Sequence, residues 1–500
     1  MKKLLSVIGM VAAVVLTSVC VSAADSRARN FNSGWRFSLG DSAAMSSPSF
    51  DDSSWRVLDL PHDWAIEGDF SEDNPSGTGG GALPGGVGWY RKTFDMPSLG
   101  KDSRVYVDFD GAYMNSTVYI NGHELGTRPY GYASFSYDLT PYLKKQGNVI
   151  AVRVDNSDQP NSRWYSGCGI YRNVWLRDLA PVHVAQWGSY VVPHDVTPQS
   201  SGLTVSTTVD NTSATSASVT LDTRVLDAAG KVVARGSQAL TIPADSSATA
   251  TQELHVDSPA LWSVNSPALY SVVTDVVDNG KVVDTYATTT GFRSIEFDAE
   301  KGFFLNGENM KINGVCMHHD LGALGAAVNT RAIRRQLEIL KEMGVNAYRA
   351  SHNPPAPEVL ALCDSMGILV MDEAFDMWRK RKTERDYARF FDEWYQRDLS
   401  DLVRRDRNHP SVIMWSIGNE VLEQWSDAAA DTLSLEEANL ILNFGHGKDQ
   451  LAKEGEELSV NSLLTRHLAD IVRELDPTRP ITSGNNEPDP GNHLFRSGAL

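Results

Sequence analysis

Beyond Phe303 the chain repeats one local grammar about five times: a short apolar run, a polar turn, an amphipathic helical stretch, then another apolar run. The runs end in Gly314-Val315-Cys316-Met317, Val345-Asn346-Ala347-Tyr348, Ile368-Leu369-Val370-Met371, Val412-Ile413-Met414-Trp415-Ser416-Ile417 and Pro480-Ile481-Thr482-Ser483. Between them, Ile333, Leu337 and Leu340 share one helical face from about Thr330, with Gly344 just past its end. Further helices are predicted over residues 357–366 and 462–475, with a charged amphipathic one before Val412. Parallel strands need a crossover long enough for a helix, so this grammar predicts a parallel sheet wrapped by helices, a (β/α)8 TIM barrel. A complete barrel takes about 250 residues. Residues 303–500 supply 198 and five strands, so the expectation is a barrel that is truncated after about five strands, with open strand edges.

The preceding residues read differently. From 24 to about 180, period-two runs such as Arg104-Val105-Tyr106-Val107-Asp108-Phe109 and Thr117-Val118-Tyr119-Ile120, the latter followed by Asn121-Gly122, predict an antiparallel jelly-roll β-sandwich. The glycine-rich stretch 77–88 lacks the Gly-Lys-Ser/Thr ending and the following helix of a phosphate loop, and reads as a surface loop. From 181 to 293 the composition shifts to Ser, Thr, Val and Ala, with strands at the spacing of an immunoglobulin-like β-sandwich and few chemically capable side chains. It reads as a structural spacer. The barrel domain is assigned to 294–500.

A length of 500 residues fits these three domains. A net charge of −18 argues against nucleic-acid or anionic-membrane partners. Lys2 and Lys3, an apolar run and the Val21-Ser22-Ala23 site predict a signal peptide over 1–23, hence an exported protein in the periplasm, at the cell surface or secreted. A lipid anchor on Cys20 is a competing reading of that segment. No later stretch has the length of a membrane span. Past Ala23 only Cys168, Cys316 and Cys363 remain, expected to be buried free thiols.

Reactive side chains of barrels come from the carboxyl ends of strands. Here the five ends carry His318, His319 and Asp320; Arg349, Ser351, His352 and Asn353; Asp372 and Glu373; Asn419 and Glu420; and Asn485, Asn486 and Glu487. Single members have structural readings: Asp372 or Glu373 could pair with Arg349, and His319 could be a core imidazole. Five polar ends together point to a site. Glu420 follows an almost uncharged strand, so its carboxyl is expected in a partly desolvated barrel mouth, where burial raises its proton affinity and makes it a general acid.

Arg407-Asn408-His409-Pro410-Ser411-Val412-Ile413-Met414-Trp415-Ser416-Ile417-Gly418-Asn419-Glu420 resembles the acid/base signature of glycoside hydrolase family 2. Arg349-Ala350-Ser351-His352-Asn353-Pro354, residues 314–318, Pro61-His62-Asp63-Trp64 and Arg163-Trp164-Tyr165-Ser166-Gly167-Cys168-Gly169-Ile170-Tyr171-Arg172 fit the same family. Within it the chain is most similar to exported bacterial β-galactosidases. The resemblance implies a retaining exo-β-glycosidase acting on terminal β-D-galactosides; β-glucuronidases and β-mannosidases of the family are the alternatives. It implies Glu420 as acid/base, Asn419 at the sugar 2-hydroxyl, and His318 and His352 at sugar hydroxyls. It also implies Arg349 near the nucleophile, Asp372 as a substrate-site carboxylate, and Arg163 and Trp164 on a sandwich loop that reaches the barrel mouth. Where a well-known member holds magnesium with a Glu and a His, this chain reads Phe375-Asp376-Met377-Trp378-Arg379. No magnesium, sodium or other cofactor is therefore expected, and Trp378 is assigned as a stacking platform. The nucleophilic Glu of the family ends the seventh strand, which places it beyond Leu500 and excludes Glu487. A non-catalytic carbohydrate-binding protein is the reading that applies should the chain truly end at Leu500. Carbohydrate is the partner in every case, and the oligomeric state is left open.

Overall fold

The computed structural model describes residues 25–96, 102–426 and 460–499. The expected signal segment 1–23, with Cys20, lies outside the described residues, as does the stretch 427–459 within the barrel domain. Among the described residues no helix is long and apolar enough to cross a membrane.

Period-two patterning produces the two sandwiches. In the first, a six-stranded antiparallel sheet faces a four-stranded one across a core that includes Trp35, Phe37, Tyr90, Val107, Phe109 and Ile150. In the second, a three-stranded sheet (Val182–His194, Ser200–Asn211, Ser246–Asp257) packs on a four-stranded one. Burial along Ser200–Asn211 alternates without a break, the signature of a strand with one face on a core.

After a small three-stranded sheet, five parallel strands follow in sequential order: Gly314–Met317, Ala347–Ala350, Leu369–Glu373, Val412–Asn419 and Ile481–Gly484. Among the described residues the first and fifth strands each pair on one side only, as the count of five strands predicts. The fourth is buried almost throughout, which a parallel strand covered on both faces requires. Helices Thr330–Glu342, Pro357–Met366, Ala388–Asp406 and Val460–Leu475 cover the outer face. Local chemistry sets their ends. The Asn329 side chain accepts from Ala332 N–H at 3.0 Å, and Pro357 opens a helix that Gly367 closes in the left-handed region.

All three described cysteines are free, but only Cys168 and Cys363 are buried. Cys316 is exposed, because the edge position of the first strand leaves one of its faces uncovered; that expectation is corrected.

Both sandwiches dock on the barrel. From the jelly roll, Arg128 pairs with Asp398 and with Asp401 (2.9 Å), and Arg172 donates to Pro354 O at 2.7 Å. From the immunoglobulin-like sandwich, Tyr190 donates to Asp476 at 2.8 Å, and Val191 N–H donates to Asn408 Oδ1 at 2.9 Å.

Candidate active site

A cleft of about 710 Å3 opens between the carboxyl ends of the barrel strands and two jelly-roll loops. Its wall contains His318, His352, Lys382, Thr383 and Glu420 from the barrel, and residues 76–79, Ser162, Arg163 and Trp164 from the jelly roll. One buried carboxylate places the second loop. Asp63 accepts from the backbone N–H of Ala65 (3.1 Å), Cys168 (2.9 Å) and Ala326 (2.9 Å) and from the Tyr165 hydroxyl. The Pro61-His62-Asp63-Trp64 motif thus ties the loop carrying Arg163 and Trp164 to the barrel segment after the first strand. Burial raises the Asp63 carboxyl above its ordinary range.

Two carboxylates organise the floor. Glu373, fully buried at the third strand end, receives Arg349 in a forked pair (2.9–3.1 Å), His352 Nδ1 at 2.6 Å and the Ser416 hydroxyl at 2.6 Å. Asp376 receives Arg163 (Nη2, 2.6 Å), Lys382 Nζ (3.0 Å) and the Asn419 amide (2.8 Å). Burial pushes Asp376 up, but the adjacent Lys382 and Arg163 cations override it and hold the carboxyl well below the usual range. Asn419 is fixed at both ends of its amide, because Arg349 Nη2 donates to its Oδ1 at 2.7 Å. The fifth strand leaves room for this arrangement through Gly484, where a Cβ would collide with the Arg349 guanidinium.

The three rings in the wall touch one another. Trp164 stacks on His318 (centroids 4.5 Å, 26°), and His352 meets Trp164 edge-on at 5.3 Å. His318 Nδ1 faces the Ser351 carbonyl at 3.1 Å, which only accepts, so that nitrogen carries the proton. Burial, then the neighbouring His352, pulls the His318 imidazole below its ordinary value, leaving Nε2 as an acceptor at neutral pH. His352 likewise spends Nδ1 on Glu373. Such a wall suits hydroxyl donors.

Glu420 caps the fourth strand in the left-handed region (φ +46°), an uncommon conformation for a non-glycine residue that turns the chain sharply into the cleft wall. Its N–H donates to Gly484 O at 2.6 Å. The side chain is 29% exposed, with Arg163 Nη1 at 3.3 Å from Oε2. The jelly-roll loop thus places a cation beside this partly buried carboxyl.

Of the other candidates, His318, His352, Arg163, Trp164 and Glu420 meet in the cleft, with Arg349 and Asn419 in the floor beside it. Two assignments are corrected. Strand alternation turns Asp372 away from Glu373, toward the helix layer, where it lies fully buried beside Asp406 with both oxygens lacking a donor. Trp378 is fully buried behind Gly418, donates to Ile417 O at 2.9 Å and stacks on Phe391, so it cannot present a face to a sugar. His319 is a core imidazole against Tyr132. Glu487 is engaged by Ser426 and Asn492.

The sequence reading missed Asp376 as an organising group, Lys382, and the wall at 76–79. Asp376 lies past the end of the third strand, where alternation no longer tells which way a side chain points. Lys382 sits in an irregular loop, where no periodicity marks a side chain as inward. That stretch does not suit a divalent cation: its one inward carboxylate is already matched by an ammonium and a guanidinium, and no group of three or more ligating side chains forms among the described residues.

Models of three glycosyl hydrolase family 2 domains match in succession: the sugar binding domain over residues 81–180, a central domain over 182–293 and the TIM barrel domain over 297–494. The β-galactosidase BoGH2A of Bacteroides ovatus is 63% identical over 94% of this chain and 55% of its own length. A putative β-glucuronidase of Formosa agariphila is 40% identical over 92% of this chain and 40% of its own length. The crystal structure of a family 2 member from Bacteroides cellulosilyticus superposes with a TM-score of 0.85 at 38% identity, covering 94% of this chain and 57% of that one. The chain spans about half the length of the curated relatives it matches.

Proposed function

The chain belongs to glycoside hydrolase family 2, and from that membership we propose that the protein containing it is a retaining exo-β-glycosidase acting on terminal β-D-galactosides. The observation that carries the reading is the placement of Glu420 in the cleft wall next to an Asn419 whose amide is clamped at both ends.

On this reading Glu420 gives its proton to the glycosidic oxygen while a carboxylate on a later barrel strand, beyond residue 500, attacks the anomeric carbon. Glu420, now a carboxylate, then takes a proton from the water that releases the sugar. The Arg163 guanidinium contacts Glu420 in this second, ionised form. Asn419, held rigid by Arg349 and Asp376, bonds the sugar 2-hydroxyl, and the His318 and His352 Nε2 atoms accept from other hydroxyls. Lys382 and Arg163 balance the Asp376 charge at the cleft floor.

We take a neutral galactoside rather than a uronate as the substrate. The similarity to the galactosidase from Bacteroides ovatus supports that choice. The basic and apolar amino-terminal segment supports export.

The test uses the full-length protein. Glu420→Gln should lower turnover of alkyl galactosides by about 10³-fold or more while a substrate with an activated leaving group still forms the glycosyl-enzyme. Unchanged rates on both substrates would remove Glu420 from the mechanism. Faster hydrolysis of an aryl glucuronide than of an aryl galactoside would overturn the choice of sugar.

A further inference from the structure

At the opposite end of the barrel, three arginines gather, and two of them form no ion pair among the described residues. A second cleft, of about 230 Å3, lies between residues 190–196 of the immunoglobulin-like sandwich, the linker 290–295 and the base of the barrel. Three arginines line it. Arg479 is matched, since its Nη1 donates to Asp476 at 2.6 Å while Nε and Nη2 donate to Val412 O and His409 O. Arg293 and Arg407 have no carboxylate partner among the described residues. Arg293 donates to two carbonyls only, Pro410 O and Val412 O (2.6 Å for the latter), which leaves three of its five N–H donors free of protein acceptors. Arg407 stacks over Tyr190 at 4.3 Å and donates to Leu475 O at 3.0 Å; its Nε is buried with no acceptor.

The nearby negative groups do not offset this. Asp476 is already shared by Tyr190, Trp415, Thr478 and Arg479. Asp195 lies 92% exposed at the rim, where it pairs with His194, and Glu253 pairs with the same ring. The helices Ala388–Asp406 and Val460–Leu475 end here, and each contributes about half a negative charge through its last carbonyls. Two cations against two such half-charges leave an excess. Burial, with Arg479 as the second cause, pulls the Arg293 guanidinium down to about 9, more than the Asp476 and Asp364 carboxylates restore from a distance.

We propose that this cleft binds a small dianionic oxyanion of the sulfate or phosphate type, held by Arg293 and Arg407, which fastens the immunoglobulin-like sandwich to the base of the barrel. The same chemistry is available as a free ion or as the sulfo group of an acidic saccharide. Arg407 and Asn408 open the motif that ends in Glu420, yet neither lies in the catalytic cleft.

The test is thermal unfolding of the full-length protein in low-salt zwitterionic buffer. Sodium sulfate or phosphate is titrated against sodium chloride at matched ionic strength. The expected result is a saturable rise in Tm of about 2–4 °C with the dianions and none with chloride, lost in Arg293→Gln and Arg407→Gln. The general stabilising action of sulfate does not saturate and is common to all variants. Ser294→Glu, on the exposed rim of the cleft, supplies a tethered carboxylate. It should raise Tm without added anion and blunt the response, which keeps the test decisive even where an arginine variant fails to fold. Galactose 6-sulfate acting at lower concentration than inorganic sulfate identifies a saccharide source; the reverse identifies the free ion. A wild-type response no larger than chloride gives, or a sulfate response in the folded variants equal to wild type, overturns the proposal.

Discussion

The jelly roll sends two loops over the strand ends of the barrel, whereas the immunoglobulin-like sandwich, with the same period-two patterning, sends none. Their interiors explain the difference. The jelly roll buries Arg91, Arg128, Arg172, Arg177 and Asp63, each tied into a hydrogen-bond or ion-pair network, and Asp63 and Arg172 fasten irregular chain. The second sandwich buries mostly Val, Leu and Thr, with a few polar groups such as Asn211 at its strand ends; it joins strands by tight turns such as Asp278-Asn279-Gly280 and by hydroxyl pairs such as Thr223–Thr274 at 3.1 Å. Apolar alternation suffices to make a stable slab. Holding a catalytic loop to within a fraction of an ångström requires buried polar groups, which constrain direction as well as distance.

Changes in the two sandwiches should therefore separate stability from catalysis. The largest effect is expected from Leu221→Ala, in the fully buried core of the second sandwich: a loss of about 2–5 kcal/mol of stability by denaturant titration, with kcat/KM per folded molecule unchanged. A loss of activity in the folded fraction would break the contrast. Arg163→Met, in the jelly-roll loop, should act on catalysis first: about a 10²-fold fall in kcat/KM per folded molecule, alongside a loss of Tm from the broken pair with buried Asp376. A smaller effect concerns pH. At the seam between jelly roll and barrel, burial and the facing Glu358 carboxyl push Asp110 up to about 8. The folded state thus holds a proton that the unfolded chain releases near pH 4. Stability should rise as pH falls from 8 toward 4, and Asp110→Asn should flatten that slope in unfolding curves taken at several pH values. The smallest change is expected for Thr208→Ala, which removes an exposed cross-strand hydroxyl pair with Thr249 (2.9 Å): within about 0.5 kcal/mol and without kinetic consequence.

Much of the architecture was legible because it rests on periodicity. The strand at Arg104–Phe109 and the helix at Pro357–Met366 coincide with their predicted bounds, since alternation and a Pro/Gly pair mark them locally. The position of Glu420 and Asn419 at the cleft was legible because a long motif and a strand end coincide there. Asp372 was misplaced because position in sequence says that a residue stands near a strand end, but a one-residue step decides which face it takes; Trp378 lies in the irregular stretch past that strand, where alternation no longer applies. Arg163 touching Glu420 joins residues 257 positions apart, and no local pattern encodes that meeting. The Asp376 cluster escaped notice likewise, because its partners come from a sandwich loop, an irregular loop and a strand.

The Asp63 carboxylate knots three separate stretches of chain: its own turn, the loop ahead of Cys168 and the barrel segment at Ala326. Modular exchange among relatives at the linkers would leave every hydrophobic core whole and still misalign the two halves of the active centre, unless both ends of that knot travelled together. The unit of inheritance for this activity is the seam between domains.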